Sequence, residues 1–106
     1  MSERVFERAN QQHVGLEDLR AELERIDDRL LDSLRERIAC CVRIAEVKQR
    51  GGVAMMQPHR IQRVHERAAR YAAEHGLDAG FVHRLYDLII EETCRVETLV
   101  MAERAQ

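Results

Sequence analysis

The sequence predicts an all-α protein built from three helices. Apolar residues recur every three or four positions over most of the 106 residues, a pattern typical of helices with one buried face. The glycine pair Gly51-Gly52, the single proline Pro58 and Gly76 divide this pattern into three segments. No segment of the sequence alternates between apolar and polar residues as a half-buried strand does. Together these observations predict a three-helix chain.

The first helix is predicted to begin near Leu16 and to end at about Arg50, where Gly51-Gly52 supplies a C-terminal stop. At 100° per residue, its apolar side chains fall within an arc of about 80°. These side chains are Leu16, Leu19, Leu23, Ile26, Leu30, Leu34, Cys41 and Ile44. Residues 1–14 are polar and aperiodic, so we expect a mobile N-terminal arm followed by a helical domain over 15–106.

The second and third helices are predicted from their end signals and their apolar faces. Pro58 suits the first turn of the second helix, which continues to a stop at Gly76. Asp78 is placed to cap the third helix, which begins at about Ala79 and runs to near the C-terminus. The third helix carries a broad apolar surface that includes Phe81, Val82, Leu85, Leu88, Ile89, Val96, Leu99 and Val100.

Composition limits the classes of function. The chain has a net charge of −2 with both signs interspersed, and it contains two Tyr, two Phe and no Trp. A nucleic-acid-binding face needs a basic patch and aromatic side chains for stacking, so we expect no nucleic-acid partner. No apolar run approaches the length of a membrane span, and the first ten residues lack the hydrophobic segment of a secretory signal. We therefore expect a cytoplasmic protein that does not bind membranes.

The cysteines and histidines indicate neither disulfides nor a metal site. Three cysteines, two of them adjacent at Cys40 and Cys41, do not form a disulfide framework, and we expect all three to be reduced packing residues. The five histidines show no metal-ligand spacing along the chain, and no Ser-His or Cys-His signature is present. The sequence therefore predicts no bound metal and no nucleophilic catalysis.

Lys48 is the most unusual residue of the first helix. It is the only lysine in a chain with sixteen arginines, and it falls inside the apolar arc together with Arg37. The two residues are eleven positions apart, close to three turns, so their Cα atoms lie about 16 Å apart on one face. A buried charge without a partner is costly. Two interpretations remain open. In the first, Arg37 and Lys48 form internal salt bridges, or their aliphatic chains extend to the edge of the apolar face so that the charges reach water. In the second, the two cations bind an anionic ligand.

The length of the first helix predicts a homodimer. A helix of about 35 residues extends roughly 50 Å, whereas a compact chain of this size has a radius of gyration near 13 Å. The two shorter helices can cover only part of its apolar face, so a second copy in a twofold dimer is the simplest cover. Arg20 lies about 25 Å from Arg37 along the helix, so only an antiparallel partner can bring the two to one small molecule. Spacing alone favours a plainer role for Arg20, as a surface arginine paired with Glu24.

Four cations at fixed spacing carry a family resemblance. They are Arg20, Arg37, Lys48 and Arg60, within the patterns LRxELxRIDxxLLxxLxxR, IAxVK, a loop ending in xPxR, and LIIEExxxxE. From Leu16 to the end, the chain resembles the all-helical chorismate mutase family. The resemblance implies an intertwined homodimer of three-helix chains, with two sites that are each completed by an arginine from the other subunit.

The resemblance also implies a reaction that needs no cofactor. Chorismate rearranges to prephenate by a concerted 3,3-sigmatropic shift, in which an ether C–O bond breaks as a C–C bond forms. The dicarboxylate must be held in a compact chair, and negative charge on the ether oxygen must meet preset donors. By resemblance, Arg37 and the partner's Arg20 hold carboxylates, and Arg60 assists them. Lys48 bridges a carboxylate and the ether oxygen.

Thr93 and Glu97 are expected to complete the site from the third helix, where they lie four residues apart beside Ile89 and Val100. Bacterial members of the family commonly have Gln at the Glu97 position, and it donates to the ether oxygen. Glu97 donates only when it is protonated, which burial favours and neighbouring cations oppose. We therefore expect Glu97 to be catalytic together with Lys48 and Arg37. The alternative is an exposed carboxylate paired with an arginine.

The residues that differ from the family pattern lie where the substituent on C4 of the substrate ring is expected to bind. Many chorismate mutases have an acidic residue at the position of Gln57 and a Glu at that of Ile61, which accepts from the C4 hydroxyl. The segments MMQPHR, RAARYAAEHGLD, LYDLIIEE and CRVETLVM are especially similar to 4-amino-4-deoxychorismate mutases, which act in pathways to antibiotics built from p-aminophenylalanine. The resemblance therefore favours 4-amino-4-deoxychorismate over chorismate. The expected substrate-binding residues are Arg20, Arg60, Gln57, Ile61, Thr93 and Met56.

Two alternatives remain. Isochorismate pyruvate lyases share this three-helix pattern and its four cations, and they need no Glu at the position of Ile61. A noncatalytic helical dimer with a regulatory or scaffolding role is the second alternative, with inward cations that pair with Asp27, Glu46 or Glu92. If the chain is a mutase, Arg67→Ala is expected to cost little activity, because no role is assigned to Arg67.

Overall fold

The computed structural model describes residues 15–52 and 58–105. They form three helices, α1 (Leu16–Gly51), α2 (Pro58–His75) and α3 (Ala79–Ala105). No strand occurs among the residues described, so the predicted all-α class and the three predicted helices are confirmed. Residues 1–14, predicted to form an arm, lie outside the described residues, as do Met56 and Gln57.

The helix ends form where the sequence predicts them. Gly52 closes α1 in the left-handed region with φ of 71°, and its N–H donates to the Gln49 carbonyl at 3.3 Å. Gly76 has φ of 72° and follows the last residue of α2. At the start of α3, Asp78 Oδ2 accepts from the Phe81 N–H at 2.7 Å, as expected of a helix cap. The short connection over 76–78 makes α2 and α3 a helical hairpin.

Helix α3 packs against both α1 and α2. The contact between α2 and α3 contains a buried cluster of Ala68, Ala72 and Val82, with Tyr86 packed against it. Small alanine side chains allow the two helices to approach closely along this contact. The C-terminal half of α1 contributes the buried Ala45. The cavity described below is lined by residues from all three helices.

The N-terminal part of α1 has little cover from its own chain. Between residues 15 and 36, every residue except Leu19 and Leu34 is exposed. The chain extends 58 × 27 × 17 Å with a radius of gyration of 18.3 Å, above the roughly 13 Å of a compact chain of this length. Large apolar side chains on this open face include Leu16, Leu23, Ile26, Leu30 and Leu31. In the part of the chain described, no helix has the length and apolar character of a membrane span.

Candidate active site

A cavity of about 350 Å³ lies between α1, α2 and α3. This volume falls within the range of about 300–1,000 Å³ that is typical of small-molecule sites. The cavity brings together six of the residues predicted from the sequence, which come from all three helices. They are Arg37, Lys48, Arg60, Ile61, Thr93 and Glu97.

The electrostatic character of the cavity is cationic. Its wall contains the predicted Arg37, Lys48 and Arg60, together with Arg63 and Arg67, against one carboxylate from Glu97. A concave, mainly basic wall favours a small ligand with more than one negative charge. Sequence reasoning missed Arg63 and Arg67, although their spacing of three and seven residues from Arg60 was a usable signal. The small effect expected of Arg67→Ala on activity stays a prediction, now for a residue that lines the cavity.

Arg37 is oriented by three neighbours. One guanidinium nitrogen, Nη1, donates to Thr93 Oγ1 at 3.4 Å and to Cys41 Sγ at 3.9 Å. The guanidinium carbon also lies 5.6 Å from the centre of the Tyr86 ring, within the distance of a cation–π contact. Thr93, which is 6% exposed, donates its own hydroxyl proton to the Ile89 carbonyl at 2.7 Å. Its oxygen is thereby turned towards Arg37 as an acceptor.

Glu97 lies in an environment that favours its protonated form. Burial raises the pKa of the Glu97 carboxyl above its usual value, while the charges of Lys48 and Arg37 act in the opposite direction. The burial effect is the larger of the two. A carboxyl with a raised pKa can donate a hydrogen bond at a pH where an ordinary carboxylate only accepts.

Glu92 was one of the carboxylates considered as a counterion for the inward cations. Glu92, a candidate partner, instead binds Arg95 through two hydrogen bonds of 2.8 and 2.7 Å. This hydrogen bonding lowers the pKa of the Glu92 carboxyl. The charges of Arg37 and Lys48 act on the Glu97 carboxyl, which lines the same cavity. Glu92 is therefore paired with Arg95 and does not serve as the counterion of Arg37 or Lys48.

Arg20 does not reach the cavity within its own chain. Its side chain is 64% exposed, and its Nη1 lies 3.2 Å from Glu17 Oε1. The local partner is thus Glu17 and not Glu24, which corrects the predicted pairing. The position on the open part of α1 agrees with the expectation that Arg20 and Arg37 of one chain cannot hold the same small molecule.

The cysteines are free, but two of them do not serve only as packing residues. Cys41 and Cys94 line the cavity, and Cys40 is exposed. Burial raises the pKa of the Cys41 and Cys94 thiols, so both are held in the neutral form at neutral pH. They contribute a polarizable, uncharged part of the wall beside the cations.

Comparison with known proteins places this chain in a family. Residues 19–98 match the family described as chorismate mutase type II. The chain is 58% identical over 90 residues to a 4-amino-4-deoxychorismate mutase of Streptomyces venezuelae, covering 85% of this chain and 87% of that protein. It is 56% identical over 82 residues to a protein of the same name from Streptomyces pristinaespiralis, covering 77% of this chain and 64% of that protein.

A more distant relative belongs to the same class. A chorismate mutase of Methanocaldococcus jannaschii is 23% identical over 88 residues, covering 83% of this chain and 89% of that protein. No solved structure gave a significant match. The chain belongs to the chorismate mutase type II family, so the resemblance read from its cationic spacing is confirmed.

Proposed function

We propose that the protein is an isomerase that converts 4-amino-4-deoxychorismate to 4-amino-4-deoxyprephenate by a 3,3-sigmatropic rearrangement. The observation that carries this proposal is the convergence of Arg37, Lys48 and Arg60 with a protonatable Glu97 in one cavity. A dicarboxylate substrate supplies the negative charges that this wall lacks. As a concerted rearrangement, the proposed reaction uses no cofactor and no nucleophile.

Each cavity residue has a physical role in this proposal. Arg37 binds a substrate carboxylate, and its hydrogen bond to Thr93 holds the guanidinium in the orientation for binding. Arg60 assists from α2, and Lys48 donates to both a carboxylate and the ether oxygen. Protonated Glu97 donates to the same ether oxygen, where negative charge develops as the C–O bond breaks. The cations also restrict the substrate to the chair that reacts.

The amino substrate is favoured over chorismate for two reasons. Ile61 lines the cavity, so the position where many family members have an acceptor for the C4 hydroxyl is apolar here. The relatives at 58% and 56% identity are both named 4-amino-4-deoxychorismate mutase. Gln57 and Met56 remain proposed contacts to the C4 side of the ring. The expected place in antibiotic biosynthesis and the cytoplasmic location also stay predictions.

The site is further proposed to be shared between two chains of a homodimer. The open apolar face of α1 supports association, because leaving several large side chains in water is unfavourable. Arg20 lies on this open part of α1, outside the cavity of its own chain. In an antiparallel dimer, the partner's Arg20 closes the cavity and binds the second substrate carboxylate.

A comparison of substrates tests the reaction. Purified protein is incubated with 4-amino-4-deoxychorismate, chorismate and isochorismate, and the products are identified by mass spectrometry and NMR. We expect the largest kcat/KM for the amino substrate. Lys48→Ala protein, purified in parallel, shows whether any turnover comes from a contaminating host mutase. Preference for chorismate would contradict the substrate proposed, and release of pyruvate from isochorismate would favour a lyase.

A hybrid dimer tests the shared site. Arg20→Ala and Arg37→Ala chains are each expected to be nearly inactive, whereas their mixture regains one intact site in each mixed dimer. With equal amounts and free exchange, about a quarter of all sites are intact, because half of the dimers are mixed and one of their two sites is complete. Native mass spectrometry confirms that the chains exchange. Exchange without recovered activity would contradict a site completed by Arg20.

A further inference from the structure

Outside the cavity, three side chains with metal-binding atoms meet where α2 and α3 pack. His65 comes from α2, while His83 and Asp87 lie four residues apart on one face of α3. Nε2 of His65 lies 3.0 Å from Asp87 Oδ1, and Nε2 of His83 lies 3.4 Å from Asp87 Oδ2. Linear spacing predicts no metal site, but the hairpin brings together histidines that are eighteen positions apart.

We propose that His65, His83 and Asp87 bind a divalent transition metal of the Zn²⁺ type. Zn²⁺ binds imidazole nitrogen and carboxylate oxygen at about 2.0–2.2 Å, so ligand atoms of a tetrahedral site lie about 3.3–3.6 Å apart. The two separations to Asp87 are close to this spacing, and all three donor atoms lie within 4.8 Å of one another. Three protein ligands leave a fourth position for water.

The exposure of the three side chains indicates which of them can rotate to bring all three ligand atoms to one ion. The side chain of His65 is only 16% exposed and is held between the helices, whereas those of His83 and Asp87 are each 57% exposed. The two imidazole rings stack with their centres 4.0 Å apart and an angle of 24° between their planes. Rotation of the exposed His83 ring is therefore the smallest change that turns both Nε2 atoms towards one ion.

The identity of the ligand atoms sets the metals expected. Imidazole nitrogen favours Zn²⁺, Cu²⁺ and Ni²⁺, whereas Mg²⁺ and Ca²⁺ prefer a full set of oxygen ligands. Nδ1 of His65 is buried and has no hydrogen-bond partner. A metal on Nε2 leaves the proton on Nδ1, where it finds no acceptor. A hydrogen-bond acceptor for the second ring nitrogen typically raises metal affinity by about 10- to 100-fold. We therefore expect the affinity of this site for Zn²⁺ to be lower by about that factor than that of a site whose histidines all have such an acceptor.

A bound ion would join α2 to α3 at positions that do not line the cavity. An ion that binds the folded chain and not the unfolded chain stabilises the fold. The inference does not depend on the proposed function, because it uses none of the residues that line the cavity. It can therefore be tested whether or not the isomerase activity is found.

The test uses full-length protein without an affinity tag, freed of metal with a chelator. ZnCl2 is titrated by calorimetry and by thermal unfolding, with MgCl2 in parallel. We expect one Zn²⁺ per chain and a rise in Tm with Zn²⁺ but not with Mg²⁺. His83→Ala and Asp87→Asn are each expected to weaken Zn²⁺ binding by about tenfold or more. His59→Ala, an exposed histidine of α2 outside the cluster, serves as the matched control and is expected to bind like the wild type.

A second measurement separates this site from the thiols of Cys41 and Cys94. Co²⁺ bound through thiolates gives an intense near-ultraviolet charge-transfer band, which nitrogen and oxygen ligands do not give. We expect a Co²⁺ spectrum without this band. A thiolate band, equal affinity of wild type and His83→Ala, or the absence of saturable Zn²⁺ binding would each overturn the proposal. Circular dichroism of each variant shows that the comparison is made between folded proteins.

Discussion

The pH dependence of catalysis tests the role proposed for Glu97. Burial raises the pKa of its carboxyl, and Lys48 and Arg37 limit that rise. If the protonated carboxyl donates to the ether oxygen, kcat/KM falls as pH increases through this pKa, by about tenfold for each pH unit above it. An amide donates at every pH. Glu97→Gln is therefore expected to remove the fall.

Substrate binding provides a second quantity to compare. Carboxylates bound at Arg37 and Lys48 offset the two positive charges that lower the Glu97 pKa. The pKa of Glu97 is therefore expected to be higher in the complex than in the free enzyme. Because kcat reports the complex and kcat/KM reports the free enzyme, the fall in kcat should occur at higher pH than the fall in kcat/KM.

Steady-state rates from about pH 4 to pH 9 at constant ionic strength are the assay. Wild type is compared with Glu97→Gln and with Glu91→Gln, which makes the same change at an exposed carboxylate of α3. We expect Glu91→Gln to keep the wild-type profile. The reasoning is refuted if Glu97→Gln retains the fall at high pH, or if Glu91→Gln also removes it.

Three further substitutions test the cavity and the proposed dimer. Lys48→Ala should lower kcat/KM about 100-fold or more by removing a donor to the ether oxygen, while the exposed Arg50→Ala should leave steady-state rates nearly unchanged. Thr93→Val removes the acceptor that orients Arg37, so KM should rise about fivefold, the equivalent of a ~1 kcal/mol hydrogen bond; an unaltered KM would contradict this role. Leu30→Glu places a charge on the open face of α1 and should shift the protein towards monomer in sedimentation velocity; an undiminished dimer would exclude this face as the interface.

The helices were predictable from the sequence because their signals are local. Apolar periodicity, the left-handed Gly52 and the Asp78 cap each act within a few residues of the chain. The shared face of Arg37 and Lys48 was predictable for the same reason, since both residues belong to one helix.

The remaining features depend on how the helices pack, which local periodicity does not determine. Arginines on a helix surface are usually solvated, and only the packing of α2 and α1 on α3 places Arg63 and Arg67 on the cavity wall. The orientation of Arg37 by Thr93 joins residues 56 positions apart. Met56 and Gln57 stay predictions, as does the role of Arg20, which requires a second chain.

The open face of α1 also bears on how the protein folds. The cluster of Ala68, Ala72 and Val82 lies entirely within the α2–α3 hairpin, so it forms from contacts that are near in sequence. The N-terminal part of α1 has no comparable cover in its own chain. In the proposed dimer, the last step of folding is therefore bimolecular, and the free energy of unfolding depends on protein concentration. Dilution is then expected to separate the two chains and with them the two halves of each active site.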